Sequence, residues 1–194
     1  MTLNEILKTK LKDWRESDYK SNYPVIREIF EYNFLDTENQ NLRYLRRAQF
    51  EALETYWYLR IIEKTPHIFD LYKKYFQGEN LLDALNVRLT EGDLRKILFS
   101  NGGGINTVFK KIKKDNDFVK KYRLEGLRES LILDYPSYIL ALAMGAGETV
   151  LIDTMIATEL AMALEYSDKP FVENVLVFAP GKTILGALKE ISDV

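Results

Sequence analysis

Residues 142–152 read LAMGAGETVLI, and no other stretch restricts this chain so strongly. They join an apolar run, residues 137–143 (SYILALA), to a segment whose apolar residues keep helical spacing as far as Tyr166. Strand, glycine-rich turn and helix in that order cradle nucleotide phosphates, because the N–H groups of the turn and the helix N-terminus point at the anion. Gly145, Ala146 and Gly147 permit a close backbone approach that larger side chains would block. Thr149, on the first helical turn, is placed to give its hydroxyl to Mg²⁺ or to cap the helix. Phosphate-binding strings of this kind end Gly-Lys-Ser/Thr, whereas this one ends Gly147-Glu148-Thr149. A negative charge stands where a positive one is needed. The spacing alone also fits an ordinary strand-to-helix turn.

A second apolar run, residues 172–179 (VENVLVFA), follows the helix and is closed by Pro180-Gly181, with helical spacing again over 182–191. Together these predict a βαβ unit with parallel strands and a right-handed crossover. The chain before residue 130 reads as helices. Leu3, Ile6, Leu7, Leu11 and Trp14 mark the first, and Pro24 opens the second. Residues 35–41 read as a loop. A third helix over 43–62 has an expected apolar face of Ala48, Ala52, Leu53, Tyr56 and Leu59, and Thr65-Pro66 stops it. A further helix covers 68–76, and residues 81–104 read as mixed and mainly helical. The triple glycine 102–104 has no strand before it and no lysine close behind, so it reads as a turn and not as a phosphate loop. The expected class is α/β: a mainly helical region, residues 1–130, followed by a partial βαβ unit, residues 131–194.

The 27 basic and 29 acidic residues nearly cancel, so bulk charge selects no partner. Locally, Lys110, Lys111, Lys113, Lys114, Lys120, Lys121 and Arg123 crowd into residues 107–123. Such a cluster is either a solvated helix face or a contact for nucleic-acid phosphates. No apolar run reaches the length of a membrane span. Absence of cysteine fits a reducing cytoplasm and also many exported proteins; the N-terminus does not read as a secretory signal, so a cytoplasmic protein is expected. His67 is the single histidine, which rules out a multi-histidine metal site within one chain. No residue is assigned a catalytic role.

Residues 141–149, ALAMGAGET, resemble the first motif of superfamily 2 helicases and translocases, with Glu148 in place of lysine. Residues 45–53, LRRAQFEAL, resemble the upstream glutamine motif, in which Gln49 would read an adenine edge. Residues 175–180 with Gly181, Lys182 and Thr183 resemble the motif Ia strand and turn, so Pro180, Gly181, Lys182 and Thr183 would meet nucleic-acid backbone. All three in this order, with the helical stretch between them, are similar to the N-terminal part of the helicase–nuclease subunit of type III restriction-modification systems. The resemblance spans nearly all 194 residues. It implies the start of a RecA-like P-loop domain, with Gln49, Gly145, Ala146, Gly147, Glu148 and Thr149 around ATP and Thr149 on Mg²⁺. It also implies double-stranded DNA as partner, and a modification (methyltransferase) subunit.

Two departures modify that expectation. Glu148 reverses the charge that should meet the β- and γ-phosphates. After Thr149 the sequence contains no recognisable acidic motif II to hold Mg²⁺, which phosphoryl transfer requires. The chain itself is therefore expected not to hydrolyse ATP. The alternative class is a non-enzymatic DNA- or protein-binding module that keeps a degenerate nucleotide pocket.

Overall fold

The computed structural model describes residues 1–36, 41–99, 104–141, 143 and 147–178. In chain order it contains α1 (Leu3–Glu16), α2 (Val25–Tyr32), β1 (Phe34–Asp36), β2 (Asn41–Leu42), α3 (Arg47–Trp57), a π-helical turn (Tyr58–Ile62), α4 (Ile68–Tyr75) and α5 (Glu79–Ala84). There follow α6 (Glu91–Phe99), α7 (Ile105–Lys114), α8 (Asn116–Tyr122), α9 (Glu125–Leu131) and α10 (Glu148–Glu165). The protein is mainly helical.

Local chemistry sets most boundaries. At the start of α1, the Thr2 N–H donates to the Glu5 carboxylate at 2.6 Å while the Glu5 N–H donates to the Thr2 hydroxyl at 3.3 Å. This is a reciprocal capping box that satisfies two backbone donors. Pro24 precedes α2 with φ −54°, already helical. Beyond the π-helical turn, Lys64 and Thr65 both take left-handed φ values, 61° and 51°. A β-branched residue is strained there, and the following proline keeps Thr65 out of the right-handed helix.

Contacts divide the chain into two discontinuous units. One combines Met1–Lys8 with Glu63–Ile139; the other combines Thr9–Ile62 with the chain from Leu140 onward. In the first, Phe69, Leu81, Ile97, Val108, Ile112 and Phe118 belong to one buried cluster supplied by α4 to α8. Val108, Ile112 and Phe118 form an apolar seam beneath the basic stretch. The basic stretch is not one helix, however: Asp115 ends α7 and caps α8, its carboxylate accepting the Phe118 N–H at 3.0 Å.

His67 belongs to the same unit and serves as a cap for α4. Its Nδ1 accepts the Phe69 N–H at 3.2 Å, and its Nε2 lies 3.1 Å from the Leu133 carbonyl oxygen. That leaves its ring committed to backbone at both nitrogens. Replacing a capping side chain with alanine costs about 1 kcal/mol. His67→Ala is therefore expected to lower unfolding free energy by about 1–2 kcal/mol once the Leu133 contact is included. A urea titration checks this, and an unchanged midpoint would remove the capping role.

The second unit packs an aromatic core. Trp14 meets Phe30 edge-on at 5.6 Å and Tyr19 at 5.2 Å, and Phe50 packs against both Phe30 and Phe34. The buried face of α3 is Gln49, Phe50, Leu53, Glu54 and Trp57. The face expected from Ala48, Ala52 and Tyr56 is displaced; Ala48 is exposed. The reason is that Glu54 interrupts the apolar stripe, so the alternative stripe of alanines looks cleaner in sequence. Of the residues expected as a loop, 35–41, Leu35, Asp36 and Asn41 belong to a two-stranded antiparallel pair in which Phe34 faces Leu42. Strands this short carry too few residues to show alternation.

Among the described residues that pair is the sole sheet. Residues 137–141 and 172–178, read as buried parallel strands, form no ladder. Their side chains lie largely in solvent: Ile139 is 90% exposed, Leu176 78% and Phe178 86%. A strand buried on both faces needs neighbours at its edges and a layer over each face. The described residues supply neither.

Candidate functional site

Gln49 and Gly147 are 98 residues apart in sequence and meet in the second unit. Gln49 is the third residue of α3, and its Oε1 accepts the Arg46 backbone N–H at 2.7 Å. Its Nε2 donates to the Gly147 carbonyl oxygen at 2.7 Å. The amide is 3% exposed and held at both ends, so its orientation is fixed. One N–H and one oxygen lone pair remain for a further partner.

Gly147 is the residue before α10, in left-handed conformation at φ +82° and ψ +52°. Its carbonyl also accepts the Leu151 N–H at 3.2 Å, the first bond of the helix. A Cβ here would stand 2.5 Å from Gln49 Nε2. Glycine is thus required twice, by the backbone angle and by the approach of Gln49. Gly147→Ala should cost about 2–3 kcal/mol, from the left-handed strain and the displaced amide hydrogen bond. Thermal unfolding measures this; a shift no larger than that of an exposed surface substitution would show that Gln49 does not hold the turn.

Glu148 is the first residue of α10 and is exposed; Thr149, the second, is half-buried. An acid in this position interacts favourably with the helix N-terminus and discourages an anion there. Gly145, Ala146, Pro180, Gly181, Lys182 and Thr183 lie outside the described residues. Among the described residues no group of three or more His, Cys, Asp or Glu side chains is arranged to hold a metal ion.

Two buried carboxylates brace the elements that carry the site. Glu54 of α3 receives a bidentate ion pair from Arg15, at 2.9 and 2.5 Å, and the Tyr19 hydroxyl at 2.6 Å. The Arg15 guanidinium is held protonated by Glu54, and burial beside the carboxylate drives the Tyr19 phenol upward. Glu159 of α10 accepts from the Tyr56 hydroxyl at 2.5 Å and from Arg60 Nε at 2.8 Å. Burial, then hydrogen bonding to Glu159, raises the Tyr56 phenol as well. The other Glu159 oxygen accepts the Val172 N–H at 3.1 Å, while Arg60 also reaches the Pro170 carbonyl at 2.6 Å. Trp57 donates its indole N–H to Thr158 Oγ1 at 3.2 Å.

Each carboxylate, Arg and Tyr set ties α3 or its extension to another element: Glu54 to α1, and Glu159 to α10 and residues 170–172. Sequence reading missed both sets. The available signal was an acid at helical spacing among large apolar residues: Phe50, Leu53, Glu54 and Trp57, and likewise Leu151, Met155, Glu159 and Met162. Buried acids at such positions need partners. No family model, curated protein or solved structure matches the chain.

Proposed function

We propose that this chain is the N-terminal part of an ATP-dependent DNA translocase similar to the helicase–nuclease subunit of type III restriction-modification systems, with a nucleotide turn whose charge has been reversed. The observation that carries the reading is the 2.7 Å hydrogen bond from Gln49 to Gly147. It supports the reading because a glutamine motif and a glycine turn of one nucleotide site, 98 residues apart, would have to lie side by side. Gln49 would face the base, Gly147 the phosphates, and Thr149 the Mg²⁺. By the same reading residues 137–143 and 172–179, which form no ladder among the described residues, would join a RecA-like sheet only with partner strands, and DNA and a modification subunit are the partners of this cytoplasmic assembly.

The residues present do not fit ATP and Mg²⁺ in charge. The space beside Gly147 holds the Gln49 amide, Glu148 would repel polyphosphate, and no group of acids among the described residues is arranged to hold a metal. No hydrolytic step is therefore assigned to the chain. No helix among the described residues is long and apolar enough to cross a membrane. A second reading, a non-enzymatic binding module with a degenerate pocket, is favoured by the exposed Glu148, which supports its own helix instead of a ligand. Calorimetry of the full chain with ATP and Mg²⁺ tests the site: heats of dilution only are expected. Micromolar affinity would overturn the assignment of Glu148 as the blocking residue.

A further inference from the structure

We infer that the first unit carries a binding surface for the phosphate backbone of duplex nucleic acid, formed by Lys73 of α4 with Asn106, Lys110 and Lys113 of α7. The structure distinguishes four of the seven cations of residues 107–123. Lys121 is taken by Asp93 at 2.5 Å and Lys111 by Asp115 at 3.5 Å. These two also lie over the Phe118 and Tyr122 rings, so they cover apolar surface within the unit. They belong to the fold.

Lys110 and Lys113 are different. Both are exposed and neither makes an ion pair among the described residues. With Asn106 they fall at i, i+4 and i+7 on α7, hence on one helix face. That face and Lys73 line an open groove of about 520 Å³. The Lys73 ammonium lies 5.9 Å from the centre of the Phe109 ring, which places it at the groove, and its 3.2 Å pair with Asp70 is solvent-exposed. Exposed pairs of that kind are weak, so a phosphate can displace Asp70. Asp70 and Asp134 also line the groove and leave it with a single net positive charge. Three ammonium groups and an amide then suit spaced single phosphates of a backbone, with the acids disfavouring a compact polyanion. The two phenylalanine rings that line the groove, Phe69 and Phe109, are buried and not available for base stacking, which favours a duplex over a single strand.

This surface does not depend on the nucleotide site, and its test is separate. A short fluorescein-labelled DNA duplex is titrated with the full chain by anisotropy over a series of salt concentrations. The native chain should bind at low salt, with log affinity falling linearly in log salt. Lys110→Glu/Lys113→Glu should bind at least tenfold more weakly, and its slope should be shallower by about 2, the loss of two phosphate contacts. Lys110→Gln/Lys113→Gln, which removes charge without reversing it, should show the same reduction in slope. Lys10→Glu/Lys12→Glu makes the same charge change on α1 and should leave the slope unaltered. Absence of binding at low salt would overturn the proposal, as would equal losses in the α1 control or an unchanged slope in either groove variant. Binding to anionic lipid vesicles with none to DNA would assign the surface to a membrane and overturn it equally.

Discussion

Glu148→Lys is expected to raise affinity for ATP with Mg²⁺ by about a thousandfold and to produce no turnover. Two unit charges about 4 Å apart interact by about 4 kcal/mol at an effective dielectric near 20. Exchanging repulsion for attraction doubles that figure. Glu148 is exposed, so solvent screening and side-chain retreat remove about half, leaving about 4 kcal/mol, or three powers of ten. Glu148 is exposed, so its exchange should leave the Gln49–Gly147 hydrogen bond in place. Hydrolysis stays absent because a lysine supplies none of the acidic groups that hold Mg²⁺. Calorimetry reads the first half and phosphate release the second. Binding unchanged from the native chain would mean that the turn is no phosphate site. Phosphate release above background would mean that an acidic residue elsewhere in the chain serves the metal.

Removing the buried carboxylate of α3 has the largest expected effect on stability. Glu54→Ala leaves Arg15 and the Tyr19 hydroxyl without their shared acceptor, and breaking one side of a buried ion pair costs about 3–5 kcal/mol. Arg15 keeps 30% side-chain exposure and can be partly rehydrated, which places the loss near the lower figure. Glu54→Gln retains an acceptor for Tyr19 and should lose less. Chemical denaturation of the three proteins gives the ordering directly. A loss below that of the His67 cap substitution would show that Arg15 and Glu54 do not form a buried pair in solution.

The helices α1 to α4 and α10 were legible in the sequence because each has its own periodicity and its own stop, whereas the short helices α5 to α9 were not separable. Pro24, Thr65-Pro66 and the spacing from Thr149 onward place α2, the end of the α3 extension and α10 within a residue or two. The turn at Gly147 and its glutamine partner were legible as motifs. What sequence could not convey was the pairing of distant residues. Nothing local in Glu54 or Glu159 names Arg15 or Arg60, and a carboxylate on an apolar stripe disguises which stripe is buried. Discontinuous units are equally invisible, since Met1–Lys8 and Glu63–Ile139 share no compositional mark. The strand readings of residues 137–143 and 172–179 drew on apolar content alone. Apolar content reports what a segment would bury, and a ladder forms only where a partner edge exists.

The π-helical turn at Tyr58–Ile62 gives chain length a structural meaning at this point. A π turn accommodates one more residue than α geometry would hold. Each residue rotates an α-helix by about 100°, so a chain shortened by one before Arg60 could continue α3 smoothly yet would swing the guanidinium away from Glu159 and the Pro170 carbonyl. A substitution at Leu59 that keeps the helical backbone leaves that alignment in place; a single-codon deletion there does not. Among relatives of this chain, gaps should be rarer here than changes of residue.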